Sequence, residues 1–149
     1  MEINITPMQL VDLDQIKDIL LEEFDDFWTF SMLKQELENT NNLNSTYFVV
    51  KKNEEIVGFA GIIKIIDEIT IMNIVVKKSK RKLGIGSALL QKLIDFSREQ
   101  KATSITLEVN YKNEPAIALY QKFGFKQVGL RKKYYHNTDD AVLMTLSIL

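Results

Sequence analysis

The chain has 149 residues, a formal net charge of −1, no cysteine and one histidine. That length fits a single domain, 1–149, burying about 68–70% of its unfolded surface, and 46% hydrophobic with 26% charged residues is a globular composition that excludes disorder. No cysteine means no disulfide, no thiolate metal site and no covalent thioester on Cys; one histidine excludes a His-rich zinc site; the balanced charge leaves no global basic field for nucleic acid.

Ile3 and Ile5 alternate as in a short first strand, and Met1-Glu2-Ile3-Asn4-Ile5 lacks the basic segment and apolar core of a signal peptide. Asp12 with Gln15 reads as a capping box, and Leu13, Ile16, Ile19, Leu20 and Phe24 mark an amphipathic helix behind it. Ser31 is a second helix cap, and Asn39, Asn41, Asn42 and Asn44 make a turn-rich linker. Tyr47 to Lys51 and Ile56 to Ile65 read as a hairpin around Asn53-Glu54, with Glu68 to Val76 pairing beside it. The longest apolar run, Ile56 to Ile63, is too short for a bilayer, so the expectation is a soluble, cytoplasmic protein with no membrane partner. A glycine turn, a helix to about Lys101, a strand Ser104 to Val109 and a helix Glu114 to about Lys122 follow, and strands Phe125 to Tyr135 and Ala141 to Ile148 close the chain. This order predicts an α/β chain with a mixed sheet and helices on both faces.

Arg81-Lys82-Leu83-Gly84-Ile85-Gly86 joins the strand ending at Val76 to a run that reads as a helix from Ser87. Two glycines at a strand-to-helix turn let backbone approach a ligand, and the first N–H groups of a helix lack internal partners at the positive end of its dipole. Together they form a phosphate-binding device. Lys77, Lys78, Lys80, Arg81 and Lys82 crowd the turn, which suits an anionic ligand. The spacing lacks the Gly-Lys-Ser/Thr of a Walker A loop, and Leu89 stands where a dinucleotide fingerprint needs its third glycine. The blander reading is an ordinary glycine turn beside a solvated basic run.

Arg81-x-x-Gly84-x-Gly86 resembles the pyrophosphate loop of the GNAT family of N-acetyltransferases. The strand-end Glu108-Val109, with Asn113, Ala116, Leu119, Tyr120, Gly124 and Phe125, is similar to that family's second signature. Arg131-Lys132-Lys133-Tyr134-Tyr135 and Asp140-Ala141-Val142-Leu143-Met144 look like the ending of its ribosomal-protein alanine N-acetyltransferases. The resemblance covers nearly the whole chain and is strongest from about residue 68 onward. It implies a mostly antiparallel sheet whose fourth and fifth strands are parallel and splay apart around the pantetheine arm of acetyl-CoA, and an enzyme that moves an acetyl group to an amine by direct transfer.

The same resemblance assigns residues. Arg81, Lys82, Leu83, Gly84, Ile85, Gly86 and Ser87 would meet the pyrophosphate. The backbone of Ile74, Val75 and Val76 would hold the pantetheine and polarise the thioester carbonyl. Alternation puts Ile105, Leu107 and Val109 on one face of their strand and Thr106 and Glu108 on the other; Glu108 is the candidate base and Tyr120 the candidate acid. Asn113 reads as a helix N-cap, to which the family adds a coenzyme contact. Trp28, Tyr134 and Tyr135 resemble acceptor-site residues, with strand packing an equal reading for the two tyrosines. Departures lie at Phe27-Trp28-Thr29, where relatives carry Pro-Trp-Ser, and in the short turn His136 to Asp139.

The expected co-substrate is acetyl-CoA, with no metal. The expected partner is an acceptor peptide or protein N-terminus, possibly of a ribosomal protein, with no direct nucleic-acid partner and the chain a monomer or weak dimer. Two other readings stay open. One is a GNAT enzyme acting on a lysine or a small polyamine or aminoglycoside, for which Glu22, Glu23, Asp25 and Asp26 would make an acidic pocket. The other is a non-catalytic acyl-CoA-binding module, which would need neither Glu108 nor Tyr120.

Overall fold

The computed structural model describes residues 3–17, 34–35, 37–38, 44–135 and 138–148. Its elements are β1 (Asn4–Pro7), α1 (Leu10–Ile16), β2 (Ser45–Lys52), β3 (Glu55–Ile65), β4 (Glu68–Val76), a short 3-10 turn (Lys78–Lys80), α2 (Ile85–Glu99), β5 (Ser104–Asn110), α3 (Glu114–Lys122), β6 (Lys126–Tyr135) and β7 (Asp139–Ser147). Among the described residues seven strands form one sheet in the order β1-β2-β3-β4-β5-β7-β6. The pairs β1–β2, β2–β3, β5–β7 and β6–β7 are antiparallel, and β4–β5 is parallel. The mixed sheet expected from the sequence is the observed one.

The β2–β3 turn falls at Asn53-Glu54, with φ of 52° and 67°. Two left-handed residues make the turn whose twist matches its flanking strands. The N-terminal cap differs from expectation. Gln9, not Asp12, precedes the helix; Asp12 lies one turn inside, where its Oδ2 accepts the Gln9 backbone N–H at 2.9 Å and its Oδ1 meets Lys51 Nζ at 2.9 Å. A buried carboxylate needs such partners, and position N3 supplies a backbone donor that an N-cap Asp would not reach. The rest of the expected first helix, the Ser31 cap and most of the asparagine linker lie outside the described residues.

Contacts group the chain into two compact units, Met1–Ile63 with Met72–Leu93 and Lys64–Ile71 with Ile94–Leu149. In the first, Met8, Leu13, Ile16, Tyr47, Val49, Phe59 and Val75 form a buried cluster. A Cβ at Gly58 would instead meet Leu89 Cδ1 at 3.4 Å and Ile85 Cγ2 at 3.6 Å. Gly58 and Phe59 are neighbours on a strand and point to opposite faces. So α1 covers one face here and α2 the other.

In the second unit Ile69, Ile105, Leu107, Phe125 and Met144 are buried. The parallel β4–β5 ladder pairs Glu68–Ser104, Ile69–Ile105 and Thr70–Thr106. Three pairs are short for strands of nine and seven residues.

Candidate active site

The glycine turn belongs to the first unit. Lys82 has φ of 67° and Gly84 of 83°. A left-handed lysine costs of order 1–3 kcal/mol, strain that collects at ligand clamps. Gly84 meets the conformational demand without cost, and its hypothetical Cβ faces open space. The helix starts at Ile85, two residues before the point read from the sequence, and Ala88 N–H donates to Gly84 O at 3.1 Å. Ile85, Leu89, Leu90 and Leu93 anchor it; each fully buried aliphatic side chain contributes about 1.5–3 kcal/mol. The N–H groups at 85–87 are therefore held by a packed helix rather than a loose loop.

Part of the basic crowd is structural. Lys77 Nζ donates to Glu55 Oε2 at 2.8 Å, which holds the Glu55 carboxyl below its ordinary range. Arg81 Nε donates to Val76 O at 3.1 Å, so part of its guanidinium closes the turn. Lys78 and Lys82 are exposed. On β4, Val75 is buried while Ile74 and Val76 are half-buried.

Glu108 belongs to the second unit. Along β5, Ile105, Leu107 and Val109 are buried and Ser104, Thr106, Glu108 and Asn110 are half-buried, the alternation expected. Thr106 and Thr145 hydroxyls meet at 3.0 Å on the Glu108 face. Arg131 Nη2 lies 3.0 Å from Glu108 Oε1, while Oε2 is buried and accepts no hydrogen bond among the described residues. One oxygen is clamped and the other left open.

Arg131 went unassigned in the sequence reading because its partner lies two strands away. In register it stands opposite Ala141, whose other neighbour is Asn110. Ala141 is small, so the guanidinium can pass over β7 toward Glu108. The β6–β7 register shifts between Arg131 and Tyr135, and Lys133 there has φ of 51°. Such a bulge re-aims side chains, and here Arg131 lies over the Tyr134 ring, 4.7 Å from its centroid. Arg131 is 53% exposed at its side chain and Glu108 23%, so the pair is worth at most about 1 kcal/mol of fold stability. It fixes the position of one Glu108 oxygen. Arg131→Gln is expected to lower kcat roughly tenfold through a misplaced carboxylate, with coenzyme affinity unchanged. Arg131→Lys should recover only part, because an ammonium lacks the planar fork. Steady-state kinetics with an equilibrium coenzyme titration check both.

Asn113 caps α3, accepting the Ala116 N–H on Oδ1 at 3.3 Å. Tyr120, the buried residue of that helix, packs its ring 5.8 Å from Phe125. Tyr134 is exposed, and Tyr135 pairs with Asp139 at the end of β6. Asp139 accepts from Asn110 Nδ2 at 3.0 Å and meets Lys112 Nζ at 3.0 Å. The Asn110 amide, then Lys112, hold the Asp139 carboxyl below its ordinary range, and Asp139 holds Lys112 above its own. This tie joins the end of β5 to the start of β7. Trp28 and His136 lie outside the described residues.

Residues 13–125 match the acetyltransferase (GNAT) family. The ribosomal protein bS18-alanine N-acetyltransferase of Escherichia coli (strain K12) is 38% identical over 104 residues, 68% of this chain and 70% of that protein. An N-alpha-acetyltransferase of Sulfurisphaera tokodaii is 31% identical over 159 residues, 96% of this chain and 92% of that one. The crystal structure of the Escherichia coli ribosomal-protein-S18-alanine N-acetyltransferase matches with a TM-score of 0.87 at 28% identity, covering 99% of this chain and 94% of that chain. What the glycine turn and the Glu108–Tyr120 spacing suggested by resemblance is thus a membership: this chain belongs to the GNAT family of acetyltransferases.

Proposed function

We propose that the chain, as one catalytic domain in the cytoplasm, transfers an acetyl group from acetyl-CoA to the N-terminal α-amine of a protein, an alanine of a ribosomal protein such as bS18. The observation that carries this reading is the Glu108 carboxylate, with Oε1 on Arg131 and Oε2 open. A single base of this kind suits an α-amine, whose free pKa is near ~8, better than a lysine near ~10.4. At pH 7 deprotonation costs about 1.4 kcal/mol for the first and more than about 4 for the second. The relatives named for bS18-alanine and N-alpha acetylation support the same acceptor class.

The roles then follow. The N–H groups at 85–87 take the donor pyrophosphate, with Lys82 adding charge. The amine nitrogen attacks the thioester carbon as its proton passes to Glu108, directly or through a water. The carbon–sulfur bond breaks, and the departing sulfur takes a proton from the Tyr120 hydroxyl, leaving an N-acetyl terminus and free CoA. Asn113 contacts the coenzyme while capping α3. Trp28, Tyr134 and Tyr135 are assigned to acceptor binding by the family resemblance of their sequence.

Competition among three acceptors tests the assignment: an alanine-initiated ribosomal peptide, its N-terminally blocked lysine-containing analogue, and spermidine. The first should be acetylated fastest. Faster acetylation of either of the others would replace the N-terminal reading with the lysine or small-amine one.

A further inference from the structure

Asp140 touches both strands that flank its own. β7 lies between β5 and β6. On one side the Asp140 carbonyl accepts the Tyr111 N–H at 3.1 Å, three residues beyond Glu108. On the other its carboxylate Oδ1 accepts the Lys133 N–H at 2.9 Å, two residues beyond Arg131. Glu108 and Arg131 are the two members of the 3.0 Å ion pair. One residue of the middle strand therefore holds the chain next to each partner.

The Lys133 N–H needs such an acceptor. Arg131 stands opposite Ala141 and Tyr135 opposite Asp139, so β6 runs through Lys132, Lys133 and Tyr134 where β7 has Asp140 alone. Residues looped out in this way drop from the ladder, and their amides lose their strand partners. Lys133 also has φ of 51°, in the left-handed region. A side chain resists that conformation, and it persists only where the surroundings fix it. The Asp140 carboxylate supplies the constraint, since a charged acceptor binds a backbone N–H more strongly than a neutral one. Lys132 Nζ lies 3.7 Å from Oδ2, but its side chain is 79% exposed, so that ion pair contributes little. The contact with the Lys133 N–H is the one that shapes the backbone.

We infer that Asp140 is a positioning residue for acetyl transfer: by holding the Lys133 bulge it aims Arg131 at the Glu108 carboxylate. Arg131 and Tyr134 lie on either side of the bulged residue. The guanidinium rests over the Tyr134 ring, 4.7 Å from its centroid, with Nη2 on Glu108 Oε1. That stacking requires the chain to turn between 131 and 134, and Lys133 is where it turns. Release of the Lys133 N–H lets the bulge relax and takes the ring from the guanidinium, which then holds the Glu108 oxygen less firmly. A misplacement of about 1 Å in a reacting group can cost about 10²-fold in rate.

This inference rests on Glu108 as the base, and one set of variants separates the two. Turnover of the fastest of the three acceptors named above is measured for wild type, Glu108→Gln, Arg131→Gln, Asp140→Ala, Asp140→Asn and the double variant Asp140→Ala with Arg131→Gln. Asp140→Ala should lower kcat roughly tenfold, as Arg131→Gln does, with acetyl-CoA affinity at the wild-type value. Asp140→Asn should recover most of the loss, because a carboxamide oxygen still accepts the Lys133 N–H. The double variant should be no slower than Arg131→Gln alone, because Asp140 acts through Arg131. The fold should survive, since Asp139 still ties β7 to Asn110 and Lys112. If Asp140→Ala does not fold, Asp140→Val, whose branched side chain suits a strand and offers no acceptor, enters the same cycle. Wild-type kcat in Asp140→Ala, equal losses for Asp140→Ala and Asp140→Asn, or losses that multiply in the double variant overturn the positioning role alone, provided Glu108→Gln is slow. Undiminished turnover by Glu108→Gln overturns the base and the positioning role together.

Discussion

Glu108→Gln is expected to lower kcat by about 10²-fold or more at pH 7, the scale of general-base catalysis, while acetyl-CoA affinity stays at the wild-type value. The substitution keeps shape and an oxygen for Arg131, 3.0 Å away in the native pair, and removes only the ability to take a proton. Coenzyme affinity is a separate matter, since the proposed phosphate device is the N–H groups at 85–87 and not this strand. The pH dependence has a definite sign. Near pH 7 about a tenth of an α-amine with pKa near 8 is neutral, and the base supplies the rest; as pH rises past 8 the amine deprotonates unaided. The deficit should therefore shrink with rising pH. A pH–rate profile of the variant with the shape of wild type would remove Glu108 from the role of base.

Gly86→Val is expected to weaken acetyl-CoA binding by more than about tenfold, the equivalent of 1.4 kcal/mol, without unfolding the protein. The two glycines of the turn differ in their reasons for being glycine. Gly84 sits at φ of 83°, a conformation that side chains resist, with open space where its Cβ would stand. Gly86 lies inside α2 and is not among the glycines with positive φ. A helical glycine costs about 1 kcal/mol relative to alanine and gains nothing conformationally. In the proposed reading its reason is the coenzyme pyrophosphate, which must reach the N–H groups at 85–87 without a Cβ in the way. Valine, a poor but adequate helix former, should leave Tm close to wild type. Calorimetric titration of folded variant and wild type decides it, and equal affinities would return the turn to an ordinary helix entry.

The sequence alone determined most of the architecture, because local rules govern it. The apolar run Glu68–Val76 read as a strand, and alternation divided Ser104–Asn110 into an Ile105-Leu107-Val109 face and a Glu108 face. Asn53-Glu54 marked its turn, and Asn113 its cap. The Arg81-x-x-Gly84-x-Gly86 spacing was enough to suggest the family to which the chain belongs. The N-terminal cap was misread because Asp12 with Gln15 fits the local pattern of a box, while Gln9 is not a usual cap residue; the carboxylate instead serves position N3, where it meets the Gln9 N–H and Lys51 on β2.

Tertiary structure decided what depends on residues distant in the chain. Arg131 meets Glu108 because β7 inserts between β5 and β6 and offers a small Ala141 to cross, and because a bulge turns β6. Lys77 proved to be a partner of Glu55 rather than a free cation of the turn. Asn73 looked like one more residue of an apolar strand until its carboxamide proved buried, with no hydrogen-bond partner among the described residues. Periodicity tells which face a side chain takes; whether that face holds a partner for it depends on packing from elements far away in sequence, and no local pattern records that.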